Sequence, residues 1–161
     1  MADLWKHGAD DLAEMIRTGK TSSVEVVEAH LARIEAVNGD LNAMVKVFGE
    51  EALAHASEID TALAKDEKLG PLAGVPFTVK ENIDFAGMPT TNGVVGLAEA
   101  VAPSDAPVVE RMRGAGGVAI GRTNLPDMGL RVHTDSALHG LTRNPWNPDR
   151  TAGGSSGGEA A

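Results

Sequence analysis

The chain has no cysteine and no tyrosine. Without cysteine there is no disulfide framework, no thiolate metal site and no thiol nucleophile. That usage fits a reducing cytoplasm. Aromatic residues make up only 3% of the chain, so its core must be built from Ala, Val, Leu, Ile and Met. Basic residues are short as well. Fourteen Lys and Arg face 23 Asp and Glu, for a net charge of −9, which argues against nucleic acid or an anionic membrane as main partner. No apolar run reaches the length of a membrane span, and the opening "MADLWKHGADD" has no apolar stretch of the kind a secretory signal needs. These absences describe a soluble, cytoplasmic protein.

What is present is enough for a domain with a real core: 161 residues, of which 42% are hydrophobic. The first third has helical spacing. Leu12, Met15 and Ile16 share one face, with acidic residues ahead of them and Gly19 as a stop. In "TSSVEVVEAHLARIEAVNG", Ser22 and Glu25 match a capping box, Val24, Val27, Leu31 and Ile34 recur at helical intervals, and Asn38-Gly39 marks the end. "NAMVKVF" reads as a short strand, and residues 50–65 as a third, Ala-rich helix. "KLGPLAGVP" is a Pro/Gly hinge.

Beyond the hinge the pattern changes. "VPFTVKENI" alternates as a strand does, "DAPVVERMRGAG" reads as a short helix, and "GGVAIGRTN" as a buried strand. Residues 122–161 read mostly as loop, with Trp146 in "NPWNPDR" packed. Helices first, then strands alternating with helices, indicate an α/β protein with a helical N-terminal layer.

Two glycine motifs fail on topology. "GAGGVA" at residues 114–119 fits a loose dinucleotide fingerprint, but a helix precedes it and a strand follows, the reverse of the required order. "GGVAIGRT" puts Arg122 where a phosphate loop needs lysine. His133, His139 and Asp135 share one loop, and locally bonded histidines explain them more simply than a metal does.

Two features can carry chemistry. Lys80 ends an apolar strand, where desolvation lowers an amine's pKa and makes it a usable base. A strand-end lysine that simply reaches solvent is the commoner case. "GGSSGG", Gly153 to Gly158, can present a hydroxyl and aim backbone N–H groups at an anion. A flexible Gly/Ser linker is the plainer alternative, though the run is short. A lysine base with serine hydroxyls is a known variant of serine catalysis that needs neither histidine nor cysteine.

These residues resemble the amidase signature family. "GVPFTVKEN" around Lys80, "GRTNLPD" from Gly121, "NPWNPDR" from Asn144 and "GGSSGGEAA" from Gly153 stand in that family's order and spacing. The resemblance runs from about Leu69 to the end, and more weakly through the N-terminal helices. It implies an N-terminal helical segment, 1–68, followed by the first part of a mixed-sheet α/β/α core, 69–161.

The resemblance further implies a Ser–cis-Ser–Lys relay for amide hydrolysis. Lys80 matches the catalytic lysine. Ser155 matches the bridging serine, after a cis Gly154–Ser155 bond. Gly153, Gly154 and Ser156 match the supporting turn, and Gly129 and Arg131 match positions lining the substrate pocket. The nucleophilic serine and the oxyanion turn are expected beyond residue 161, so these 161 residues alone are expected to be inactive. The implied partner is a small-molecule amide, with no cofactor or metal, and homo-oligomerisation stays open. Two alternatives remain. One is a component of a glutamine-dependent amidotransferase, although "LRVHTDSALHG" departs from the "STENSAFG" pattern of that component. The other is a short non-catalytic protein with a binding role.

Overall fold

The computed structural model describes residues 3–161. Met1 and Ala2, which open the segment read for a signal sequence, lie outside the described residues. The chain forms two units, each assembled from separate stretches. The first comprises the residues up to Ala36, Phe48–Phe77 and Glu110–Ile120, and the second Val37–Val47, Thr78–Val109 and Gly121–Ala161.

The first unit is built on helices α1 (Ala9–Arg17), most of α2 (Ser23–Leu41) and α3 (Gly49–Leu63). Gly19 takes a positive φ of 70° and closes α1. The N–H groups of Gly19 and Lys20 return to the carbonyls of Ile16 and Met15 in a Schellman arrangement. Helix α2 starts on a reciprocal capping box. Ser22 N–H donates to the Glu25 carboxylate at 2.8 Å, and Glu25 N–H donates to Ser22 Oγ at 3.1 Å. Neighbouring residues of α2 point about 100° apart, so the helix serves two apolar clusters. Val26 and Ala29 pack with Leu4, Leu12, Ile16 and Val75. Val27 packs with Ala52, Ala56, Ile59, Val118 and Ile120.

Asn38-Gly39 does not stop α2, which continues to Leu41. The stop is Asn42, at a φ of 53°. Asn38 shapes the exit instead. Its Oδ1 accepts from Ala43 and Met44 N–H, and its Nδ2 donates to the Met44 carbonyl.

Strands β1 (Met44–Val47), β2 (Pro76–Lys80) and β3 (Val118–Thr123) form a sheet in the order β1-β3-β2. Strand β1 runs antiparallel to β3. Val118 N–H bonds the Val75 carbonyl at one end of β2, and Glu81 N–H bonds the Thr123 carbonyl at the other. That spacing sets β2 and β3 parallel. A parallel pair needs a crossover, which contains α4 (Pro107–Gly114).

The stretch read as loop contains more structure than its composition suggests. Strands β4 (Asp135–Ser136) and β5 (Gly140–Leu141) pair, as do β6 (Arg143–Asn144) and β7 (Asn147–Thr151), and α5 (Gly157–Ala160) follows the serine pair. Trp146 is not packed. It sits at the tip of the β6–β7 hairpin, 94% exposed, where Asn144 Oδ1 accepts its backbone N–H. Among the described residues no helix is long and apolar enough to cross a membrane.

Candidate active site

All of the sequence-derived site residues fall in the second unit. Strand alternation puts Thr78 and Lys80 on one face of β2, and Lys80 is the last residue of that strand. The serine turn is shaped by its surroundings. Gly153 has a φ of 92°, a conformation that glycine adopts without steric cost. A Cβ on Gly154 would lie 2.8 Å from the Arg131 carbonyl oxygen and 2.9 Å from the His133 nitrogen, so only glycine fits. The Gly154–Ser155 peptide bond is cis. Thr134 ties both ends of the turn. Its hydroxyl donates to the Gly153 carbonyl at 2.9 Å and accepts from Gly157 N–H at 3.0 Å.

The turn brings its two serines to the lysine. Lys80 Nζ donates to Ser155 Oγ at 2.9 Å and to Ser156 Oγ at 2.9 Å. Burial pulls the Lys80 amine below its ordinary range, and the Glu159 carboxylate pushes back. An amine that sheds its proton here can accept the proton of Ser155.

Gly129 belongs to the same neighbourhood, since a Cβ on it would lie 3.8 Å from Ser155 Oγ. Arg131 brings only its main chain to the turn. Its guanidinium pairs with Asp127 at 2.8 Å. The loop histidines have different partners. His133 Nδ1 meets Thr151 Oγ1 at 2.8 Å, while His139 Nε2 lies 3.9 Å from Glu81. Among the described residues no group of three His, Asp or Glu could hold a metal.

Several residues around the site escape sequence reasoning. Arg122, 2% exposed, and Glu81, 5% exposed, form an ion pair, with Arg122 Nε 3.2 Å from Glu81 Oε2. Arg122 also donates to the Ile83 carbonyl at 2.9 Å and reaches the Lys80 carbonyl at 3.5 Å. The pair therefore fixes the backbone where Lys80 leaves β2. Burial pushes the Glu81 carboxyl up and the Arg122 guanidinium down, each against the other's charge. Asn124 is wholly buried. It donates to Gly140 and Thr142, and its Oδ1 accepts from Leu125 N–H and from Ser136 Oγ. The signal for these residues is a charge or an amide within or directly after a strand: Arg122 inside β3, Asn124 just past its end and Glu81 just past the end of β2.

A family model described as amidase matches residues 25–161. The chain belongs to the amidase signature family. It is 52% identical over 155 residues to an indoleacetamide hydrolase of Bradyrhizobium diazoefficiens, covering 96% of this chain and 30% of that protein. It is 44% identical to the A-type subunit of the glutamyl-tRNA(Gln) amidotransferase of Thermobifida fusca, covering all of this chain and 32% of that protein. The fold matches that of a bacterial aryl acylamidase of the amidase signature enzymes with a TM-score of 0.88 and 35% identity, over 94% of this chain and 32% of that one. The α/β fold is thus the family's own. The chain spans about a third of the length of the curated relatives it matches.

Proposed function

We propose that this chain carries the general base and the relay serine of an amidase. The reaction is hydrolysis of a carboxamide C–N bond to a carboxylate plus ammonia or an amine. Neutral Lys80 takes the proton of Ser155, and Ser155 takes that of a nucleophilic serine, which attacks the amide carbonyl. The proton returns through Ser155 to the leaving nitrogen, and water then releases the acyl group. The nucleophile and the oxyanion-binding N–H groups belong to a part of the family's core outside these 161 residues. The segment by itself is accordingly inactive. No metal or cofactor enters the relay, and the cytoplasm is its proposed location.

One observation carries this reading: Lys80 Nζ lies 2.9 Å from both Ser155 Oγ and Ser156 Oγ, where burial lowers the pKa of the amine. Identity of 52% to an indoleacetamide hydrolase makes arylacetamides the first substrates to try. The decisive test is Lys80→Ala in the whole protein, with folding checked by circular dichroism. We expect kcat/KM to fall by about three orders of magnitude. Lys80→Arg should fare no better, because a guanidinium does not give up its proton. Activity within a few-fold of the parent in Lys80→Ala would sink the assignment.

The 44% identity to a component of an amidotransferase, over the full chain, favours a second reading, ammonia supply from glutamine to a partner complex. Co-purifying partner proteins and glutamine-dependent amide transfer would establish it. Hydrolysis of arylacetamides by the isolated protein would remove it.

A further inference from the structure

We propose that Glu159 is a positioning residue, holding the Ser155–Ser156 turn in register with Lys80 through Thr78 and Thr123. The inference rests on the reading of Lys80 as the base. Helix α5 begins immediately after Ser156, and Glu159 lies within its single turn. The carboxylate reaches two strands. Glu159 Oε2 accepts from Thr78 Oγ1 at 2.8 Å, and Glu159 Oε1 accepts from Thr123 Oγ1 at 2.6 Å. Thr78 shares the Lys80 face of β2, and Thr123 ends β3, itself 1% exposed. Hydrogen bonds to an ionised acceptor are the stronger kind. One side chain therefore ties the serine turn to the strand that carries the lysine and to that strand's neighbour.

The chemistry of the acceptor matters. Two hydroxyl protons point at one carboxylate, and only the ionised form accepts both without offering a proton of its own. A glutamine fills the same space but presents one acceptor and one donor, so one threonine hydroxyl must turn round. The tie survives and the charge does not.

That charge acts on Lys80. Other ionisable groups around the lysine are committed elsewhere. Glu81, next in the chain, pairs with Arg122 of β3, and Asp127, two residues before Gly129, pairs with Arg131. The serine turn contributes none. Glu159 thus opposes the effect of burial and keeps Lys80 protonated to a higher pH than burial alone would. Losing its charge should let Lys80 work at lower pH.

The experiment uses the whole protein with an arylacetamide that it hydrolyses, and compares Glu159→Ala, Glu159→Gln and Lys80→Ala. Glu159→Ala should lose about tenfold or more in kcat, with KM changed less than about threefold. Glu159→Gln should recover most of that loss. Its acid limb in kcat/KM against pH should move down by about half a unit or more. A purely structural residue would move no such limb. If Glu159→Ala fails to fold, the Glu159→Gln profile decides alone. Parent-like kcat in Glu159→Ala, or superimposable pH profiles for Glu159→Gln and parent, would overturn the proposal. Those results with Lys80→Ala inactive would condemn the role of Glu159 only. An active Lys80→Ala would remove the base assignment and this inference with it.

Discussion

The two units bury different things. In the first, the buried side chains are almost all apolar and form two clusters, one around Leu12 and Val26 and one around Ala56 and Ile59. Its buried polar residue is Ser23. In the second, Glu81, Thr91, Arg122, Thr123, Asn124, Thr134, Ser136 and Thr142 are all buried. The large apolar side chains left exposed among the described residues, from Val47 to Trp146, also belong to the second unit. Apolar burial is non-directional and scales with area, at about 25 cal/mol per Å². Buried hydrogen bonds contribute little net energy, yet they specify angles and distances, and leaving one partner unmatched is costly. The first unit is therefore organised for stability. The second is organised to hold a lysine and two hydroxyls in one fixed arrangement.

This contrast predicts where single substitutions hurt most. Arg122→Met should be the most damaging, because it leaves Glu81 buried without its counter-charge. We expect a loss of about 3–5 kcal/mol in denaturant unfolding of the whole protein. Replacing both partners, Glu81→Met with Arg122→Met, should recover most of that loss. The pH dependence has a defined sign. Burial already raises the Glu81 pKa above its ordinary 4.5, and Arg122 opposes the rise. Without Arg122 the folded-state value climbs further. A raised carboxyl pKa stabilises the folded state relative to its high-pH level once the group is protonated, so the deficit of Arg122→Met should shrink as pH falls through that value. A deficit equal at all pH values would mean that Glu81 is not the group left stranded.

The complementary substitution lies in the first unit. Leu12→Ala removes a buried side chain from the first cluster and should cost about 2–4 kcal/mol. The loss is comparable to that of Arg122→Met, but kcat/KM below the unfolding range should stay near the parent's. Loss of activity in proportion to stability in Leu12→Ala would erase the division between the units.

The same division explains what could be read from the sequence. Apolar spacing marks α1, α2 and α3 to within a few residues because packing in the first unit repeats with the helix. Lys80 and Ser155 emerge from motif order, and the structure sets them 2.9 Å apart. Glu159 stands in the same "GGSSGGEAA" motif, but nothing in the motif announces its role. Its partners stand 81 and 36 residues away in the chain, and no periodicity links one carboxylate to two threonines on different strands. Arg122 is visible in the sequence only as a failed phosphate-loop lysine. Its role depends on Glu81, which a strand pairing brings near. Trp146 reads as packed because an indole gains from burial, yet the Asn and Pro residues beside it make a hairpin tip and leave the ring outside. Local signals were legible, and contacts between distant elements were not.

The smallest effects give the sharpest check on the comparison. If the second unit were sensitive merely because its contacts are polar, polar contacts in the first would be equally costly. The capping box at the start of α2 tests this. Ser22→Ala removes the acceptor for Glu25 N–H and should cost about 1 kcal/mol with kcat/KM unchanged. Glu25→Gln should cost less still, with a pH signature of its own. The Ser22 N–H, and after it the Thr21 hydroxyl, hold the Glu25 carboxyl below its ordinary 4.5. A depressed carboxyl pKa contributes stability that is present above the unfolded value and lost as pH falls through the folded one. The gap between Glu25→Gln and parent should therefore be visible at neutral pH and close in acid. A gap that persists in acid would show that the carboxylate's shape, and not its charge, supports the helix. A large loss of activity in either variant would place the polar contacts of the first unit on the same footing as those of the second.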